Sequence, residues 1–195
     1  MSMVGAWGAK GYITDYLKAD LPTRTLAYRN LWNLDDKRLP TVEKFYAYEP
    51  AALDTWPCII TVAIATPGIN RLDYQTAGDP IYAVTYAMRT YIWTRGEFEE
   101  QTTQSRDNLT TVVRSSFLDR PCLRAGVHAY AGIHEISLDE GTLNEQFSDL
   151  TRLKGERWLA GAFLGYEFTV HEPVTRTTLG TVATTSASVT LLSLT

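Results

Sequence analysis

The chain has 195 residues, 45% hydrophobic and 21% charged, with a formal net charge of −4. That length and composition fit one globular domain with room for an appendage, able to bury about 70% of its unfolded surface without a metal or disulfide. The acidic balance and scattered Lys and Arg weigh against a duplex-binding surface, which needs clustered cations to meet phosphates, and would instead suit a surface that nucleic acid passes without sticking.

Five Trp and eleven Tyr form a heavy aromatic load, which serves cores and interfaces alike. No segment approaches the ~18 consecutive apolar residues of a membrane span. The start, "MSMVGAWGAKG", lacks the basic region, apolar stretch and cleavage site of a signal peptide, so the expectation is a protein made in a cytoplasm. Cys58 and Cys122 stand outside any C-x-x-C pattern and are expected as reduced thiols, both buried as small hydrophobes.

In chain order, residues 1–40 read as a broken helical segment. Ile13, Tyr16, Leu17 and Leu21 recur at offsets 0, 3, 4 and 8, an amphipathic stripe that Pro22 is expected to stop. A weaker pattern around Leu26, Arg29, Leu31 and Trp32 implies a second short helix or turn. Pro40 opens an irregular connection, "FYAYEPAALDTWP". "CIITVAIAT" then reads as a buried strand ended by Pro67–Gly68, and "GINRLDYQTAGDP" as a long polar loop. In "IYAVTYAMRTYIW", Tyr82, Val84, Tyr86, Met88 and Ile92 alternate with Ala83, Thr85, Ala87 and Arg89, the pattern of a long half-buried strand.

"GEFEEQTTQSRDNLTTVVRSSFLDRP" reads as a helix with Glu in its first turn, an apolar stripe of Leu109, Val112, Val113, Ser116 and Phe117, and a stop at Pro121. Thr102, Ser105 and Asn108 stand where a core helix carries Leu, so that end should face water or a polar neighbour. "GIHEISL" reads as a short strand, and "DEGTLNEQFSDLTRLKGE" as a short helix or extended loop. "RWLAGAFLGYEFTVHE" alternates Leu164, Tyr166, Phe168 and Val170 with Gly165, Glu167, Thr169 and His171, a second long strand. This order favours an α+β fold: a mixed or antiparallel sheet packed by two or so helices. The last nineteen residues, 177–195, carry no charge and include ten Ser or Thr, a polar arm that can pair with another subunit's sheet edge.

Catalytic signatures are missing: there is no G-x-S-x-G, H-E-x-x-H or phosphate-cradling G-x-x-x-x-G-K-[ST]. Gly5, Gly8 and Gly11 precede a helix rather than follow a strand, which fits a flexible N-terminus better than a dinucleotide site. His128, His134 beside Glu135, and His171 read as surface or strand-end histidines, since alternation sends His134 and Glu135 to opposite faces. Asp35–Asp36 and the Glu97, Glu99 and Glu100 run read as solvated faces and helix-end electrostatics. No catalytic residue, metal or cofactor is expected.

The stretch "TYAMRTYIWTRGEFEEQTTQSRDNLTTVVRSSFLDRPCL" resembles the centre of the tail terminator proteins of long-tailed bacteriophages. There a long strand ending in R/V-x-V-x-x-R-G leads into a helix with R-D-x-L-x-x-x-V-R and then a Pro. "LAGAFLGYEFTVHEPVTRTTLGTV" is similar to the actinobacterial-phage version, in which a long strand runs into a Thr-rich L-G-T-V arm. The likeness covers residues 56 to 182. It implies the lambda-like tail terminator fold, with 41–173 as a ring-forming core and 174–195 as an interaction arm. It further implies a virion protein that forms a six-fold ring on the tail tube, meets the tube protein and a neck connector, and lets DNA through its lumen. No catalytic residues carry over. The subunit interface is placed on Arg89, Tyr91, Trp93 and Arg95 of the strand, Glu99 and Arg106 of the helix, Phe147, and Thr181, Val182, Val189 and Leu191 of the arm. Two alternatives stay open: a tail-tube subunit or another connector, and a small enzyme or binding domain marked by a deep polar pocket.

Overall fold

The computed structural model describes residues 5–72, 80–123, 136–153 and 157–173. Its elements are α1 (Ala6–Trp32), β1 (Lys44–Tyr46), β2 (Cys58–Arg71), β3 (Ile81–Gly96), α2 (Glu99–Asp119), β4 (Ile136–Phe147), β5 (Thr151–Leu153) and β6 (Arg157–Pro173). One sheet runs β1-β2-β3-β6-β4, with β5 also pairing β6. β1 joins β2 in parallel and every other pairing is antiparallel. The fold is α+β. Its spine is the β3–β6 pair, in register from Ile81 opposite Pro173 to Gly96 opposite Trp158.

Both helices pack on one face of that sheet. The alternation read from the sequence sends Val84, Tyr86, Met88 and Ile92 of β3 and Leu164, Tyr166, Phe168 and Val170 of β6 to the same side. There they meet Leu109, Val112, Val113 and Phe117 of α2 and Ile13, Tyr16, Leu17 and Leu21 of α1. Arg24 clamps the two helices, bonding Asp20 on its own helix and Asp119 at 2.8 Å on α2. The polar end of α2 does meet a polar neighbour: Ser105 donates to the Lys37 carbonyl at 2.6 Å and Asn108 to the Arg38 carbonyl at 2.9 Å.

Several expectations need correction. The helical segment is not broken at Pro22, because α1 runs unbroken through it to Trp32. Pro22 and Lys18, the residue whose carbonyl loses its usual N–H partner, are both exposed, so water can take that partner's place. Past it Thr25 is buried and Tyr28 and Trp32 pack against the core, while Leu26 and Leu31 are exposed. The N-terminal glycines also belong to ordered structure: Gly5, at φ +90°, precedes the helix and donates its N–H to Glu172, and Gly8 is buried within α1.

The connection after Pro40 contains β1, which pairs with the start of β2. β2 itself passes through Pro67–Gly68, accommodated by register shifts after Ala63 and Ala65, where an irregular ladder tolerates a residue without an N–H. The 139–153 stretch is strand over 139–147 and 151–153 rather than a helix or a loop. β6 offers a second edge whose backbone groups require partners, and β4 and β5 lie end to end along it. Leu143 and Phe147 belong to β4 and Leu153 to β5. Cys122 is exposed on the turn after Pro121, while Cys58 is fully buried; both thiols are free.

Candidate interaction surface

The sheet face away from the helices gathers four of the sequence-predicted residues. Arg89, Tyr91, Trp93 and Arg95 alternate along β3 with the buried Thr90, Ile92 and Thr94, so strand geometry aligns them in one row. β6 supplies Phe163, a residue the sequence reading passed over although its parity, opposite to Leu164 and Tyr166, marks the outer face. The Arg89 guanidinium lies 4.8 Å over the Phe163 ring, and the Tyr91 ring is 5.4 Å from it. Arg95 lies 5.9 Å over Trp56. Each such cation–ring contact contributes about 0.5–1 kcal/mol when exposed and more when desolvated.

A small residue opposite makes room for Trp93 in this row: a Cβ at Gly161 would lie 2.5 Å from the indole, whereas one at Gly165, across from Arg89, would meet Asn144 of β4 at 3.0 Å. At the β1 end this face carries a small apolar cluster of Tyr46, Cys58, Ile60 and Val62, against which Leu53, Trp56, Tyr91 and Trp93 pack. Burial, with Asp54 nearby, pushes the Cys58 thiol up to about 11, so it stays protonated at neutral pH and is no ready nucleophile.

Arg106 and Phe147 come together elsewhere. The Arg106 guanidinium lies 5.1 Å over the Phe147 ring and donates to the Ser148 carbonyl at 2.8 Å, fastening the end of β4 to α2. Arg106 is buried by this and Phe147 is left 50% exposed. Glu99 sits apart, exposed in the first turn of α2 beside Phe98, another exposed aromatic that sequence reasoning missed. Thr181, Val182, Val189 and Leu191 lie outside the described residues, as do His128, His134 and Glu135.

A cleft of about 420 Å³ opens between the 36–43 segment, the end of β3 and the start of α2, with Lys37, Glu43, Trp56, Arg95, Phe98 and Thr102 in its walls. Its charges are mixed in sign. Burial holds Tyr16, Tyr86 and Tyr166 in the helix-covered core, and Tyr46 in the outer-face cluster, above the ordinary tyrosine range, and none of the four lines this cleft. Among the described residues no cluster of three or more His, Cys, Asp or Glu is placed to hold a metal ion, and no helix is long and apolar enough to cross a membrane. Compared with known proteins, the chain matches no protein-family model, and no curated protein matches its sequence.

Proposed function

We propose that this chain is a ring-forming virion subunit of the tail-terminator type. Copies would join head to tail in a closed, six-fold ring at the head-proximal end of a phage tail tube. The ring would stop tube growth, meet the tube protein on one side and a neck connector on the other, and leave a lumen for DNA. The observation that supports this reading is the Arg89–Phe163–Tyr91 surface. Arginine and aromatic side chains, the types enriched at protein interfaces, stand half-exposed on one sheet face while both helices cover the other. A closed ring of identical chains needs two different patches per chain, one to give and one to receive. The stretch that resembles terminators, 56 to 182, takes in β2, β3, α2, β4, β5 and β6.

The test is assembly of the purified protein, followed by sedimentation velocity and electron microscopy of stained particles. Discrete closed rings are expected, with Arg89→Glu and Arg95→Glu variants that keep the native circular-dichroism spectrum but lose the rings. Open-ended tubes would favour a tube subunit instead. A monomer at every concentration would remove the ring reading.

A further inference from the structure

We infer that the open edge of β2 receives an added β-strand, and that the strand is the uncharged arm, 177–195, of a second copy of this chain. β1 pairs only with Cys58–Ile60. Beyond that point β2 is hydrogen-bonded on one side, to β3, among the described residues. Ile64 is 50% exposed, Ile69 63% and Leu72 46%. An exposed apolar edge is a template for another strand, which is why proteins usually guard such edges with charge, Pro or a bulge. Residues 61–70 contain no charged side chain. Pro67 and the two register shifts interrupt this edge and divide it into two short stretches that can still be paired.

The opposite edge of the sheet is built differently. β4 carries Asp139, Glu140 and Glu145, and its register jumps from Asp139 opposite Glu167 to Asn144 opposite Gly165, so four residues bulge from the ladder. Asp139 accepts the Gly141 N–H at 3.0 Å, and Thr142 bonds both the Asp139 carbonyl and the Glu167 N–H, which fixes that bulge. An acidic, bulged edge is a poor mate for the β2 edge of a neighbour. The arm is a better one. It follows β6 with 22 residues after Pro173, and its last nineteen carry no charge to desolvate. Its alternating Thr, Val, Ala and Ser suit a strand, and ten such residues span about 33 Å, enough to follow β2 from Val62 to Leu72.

The donor is a second copy because of where the strands end: Pro173 lies opposite Ile81 and Arg71 opposite Tyr82, so β6 and β2 end at the same side of the sheet with β3 between them. A strand from the same chain would have to cross that end and reverse. This inference stands apart from the proposed ring, since it specifies an edge and a donor for any assembly of copies.

Disulfide trapping tests it in a Cys122→Ser background, Cys58 being buried. One chain carries Ile69→Cys. A second, with a tag of different mass, carries Thr181→Cys, Val182→Cys, Val189→Cys or Leu191→Cys in turn, and a doubly substituted single chain reports pairing within one molecule. The expected result is a mixed-tag covalent dimer whose yield rises and falls with a period of two along the arm. No cross-link at any arm position, or cross-links only within the doubly substituted chain, would overturn the inference. Ile69→Lys and deletion of 177–195 should each keep the folded spectrum and weaken self-association about tenfold or more. Rings that persist unchanged in both variants would sink the arm-on-edge contact and leave the ring itself standing.

Discussion

At position 90 of β3, where the alternation calls for an apolar side chain, a threonine is fully buried. Its hydroxyl lies 2.8 Å from that of Tyr166, which is itself buried on the neighbouring strand. Each hydroxyl needs the other, because an unpaired buried polar group costs more than the bond gains. Tyr166→Phe should therefore lower unfolding free energy by about 1–2 kcal/mol in urea melts, and Thr90→Val added to it should recover part of that loss. Sequence alone exposed the parity of both residues but not their pairing, since nothing along the chain relates position 90 to position 166. The same limit hid Phe163 as the ring beneath Arg89. It also hid the role of Gly161, whose missing side chain makes room for Trp93 across the ladder.

Among the elements, the two long strands and α2 were legible, because each carries a clear apolar period along much of its length. α1 was half legible. Its first stripe, Ile13 to Leu21, is buried as expected, but the stop at Pro22 failed since the missing N–H lies on the water side. Restoring that donor with Pro22→Ala should raise stability by about 1–3 kcal/mol. An unchanged or lowered urea midpoint would mean that the ring packs favourably against its surroundings. β1, β5 and the 139–147 part of β4 were not legible as strands, whereas the start of β4, 136–138, falls within the expected strand "GIHEISL". They are short or irregular pieces with weak periods of their own, and they become strands by pairing with the edges of β2 and β6.

Across the whole molecule, the sheet has one face sealed by helices and one face of arginine, aromatic and small residues. The sealed face makes a prediction about pH. Burial holds Tyr16, Tyr86 and Tyr166 protonated above the ordinary tyrosine range, and for Tyr86 a hydrogen bond to Glu172 adds to the effect. Groups whose folded pKa is raised contribute stability that is complete below the unfolded pKa, about 10, and lost as pH rises through the folded one. The thermal midpoint should therefore fall once pH passes about 10 as the unfolded chain releases these protons. Phenolate absorbance should show a group of tyrosines that ionises only as the protein unfolds. Smooth ionisation of all eleven tyrosines near pH 10 in folded protein would contradict this.

What the sequence determined by itself was the set of faces: period two along β3 and β6 and the apolar stripes of α1 and α2 state which side chains are turned inward, because those periods follow from local backbone geometry. They also determined the α+β class, through the order of the strong elements. Tertiary structure alone decided that Pro22 is tolerated, that 139–147 and 151–153 are strand, and that Arg106 is held by Phe147 and Ser148 within its own chain. Among the described residues it also leaves the β2 edge beyond Ile60 without a second neighbour. Each of these depends on a partner far along the chain, and the energy of a backbone hydrogen bond or a buried cation is set by what lies opposite it rather than by its neighbours in sequence.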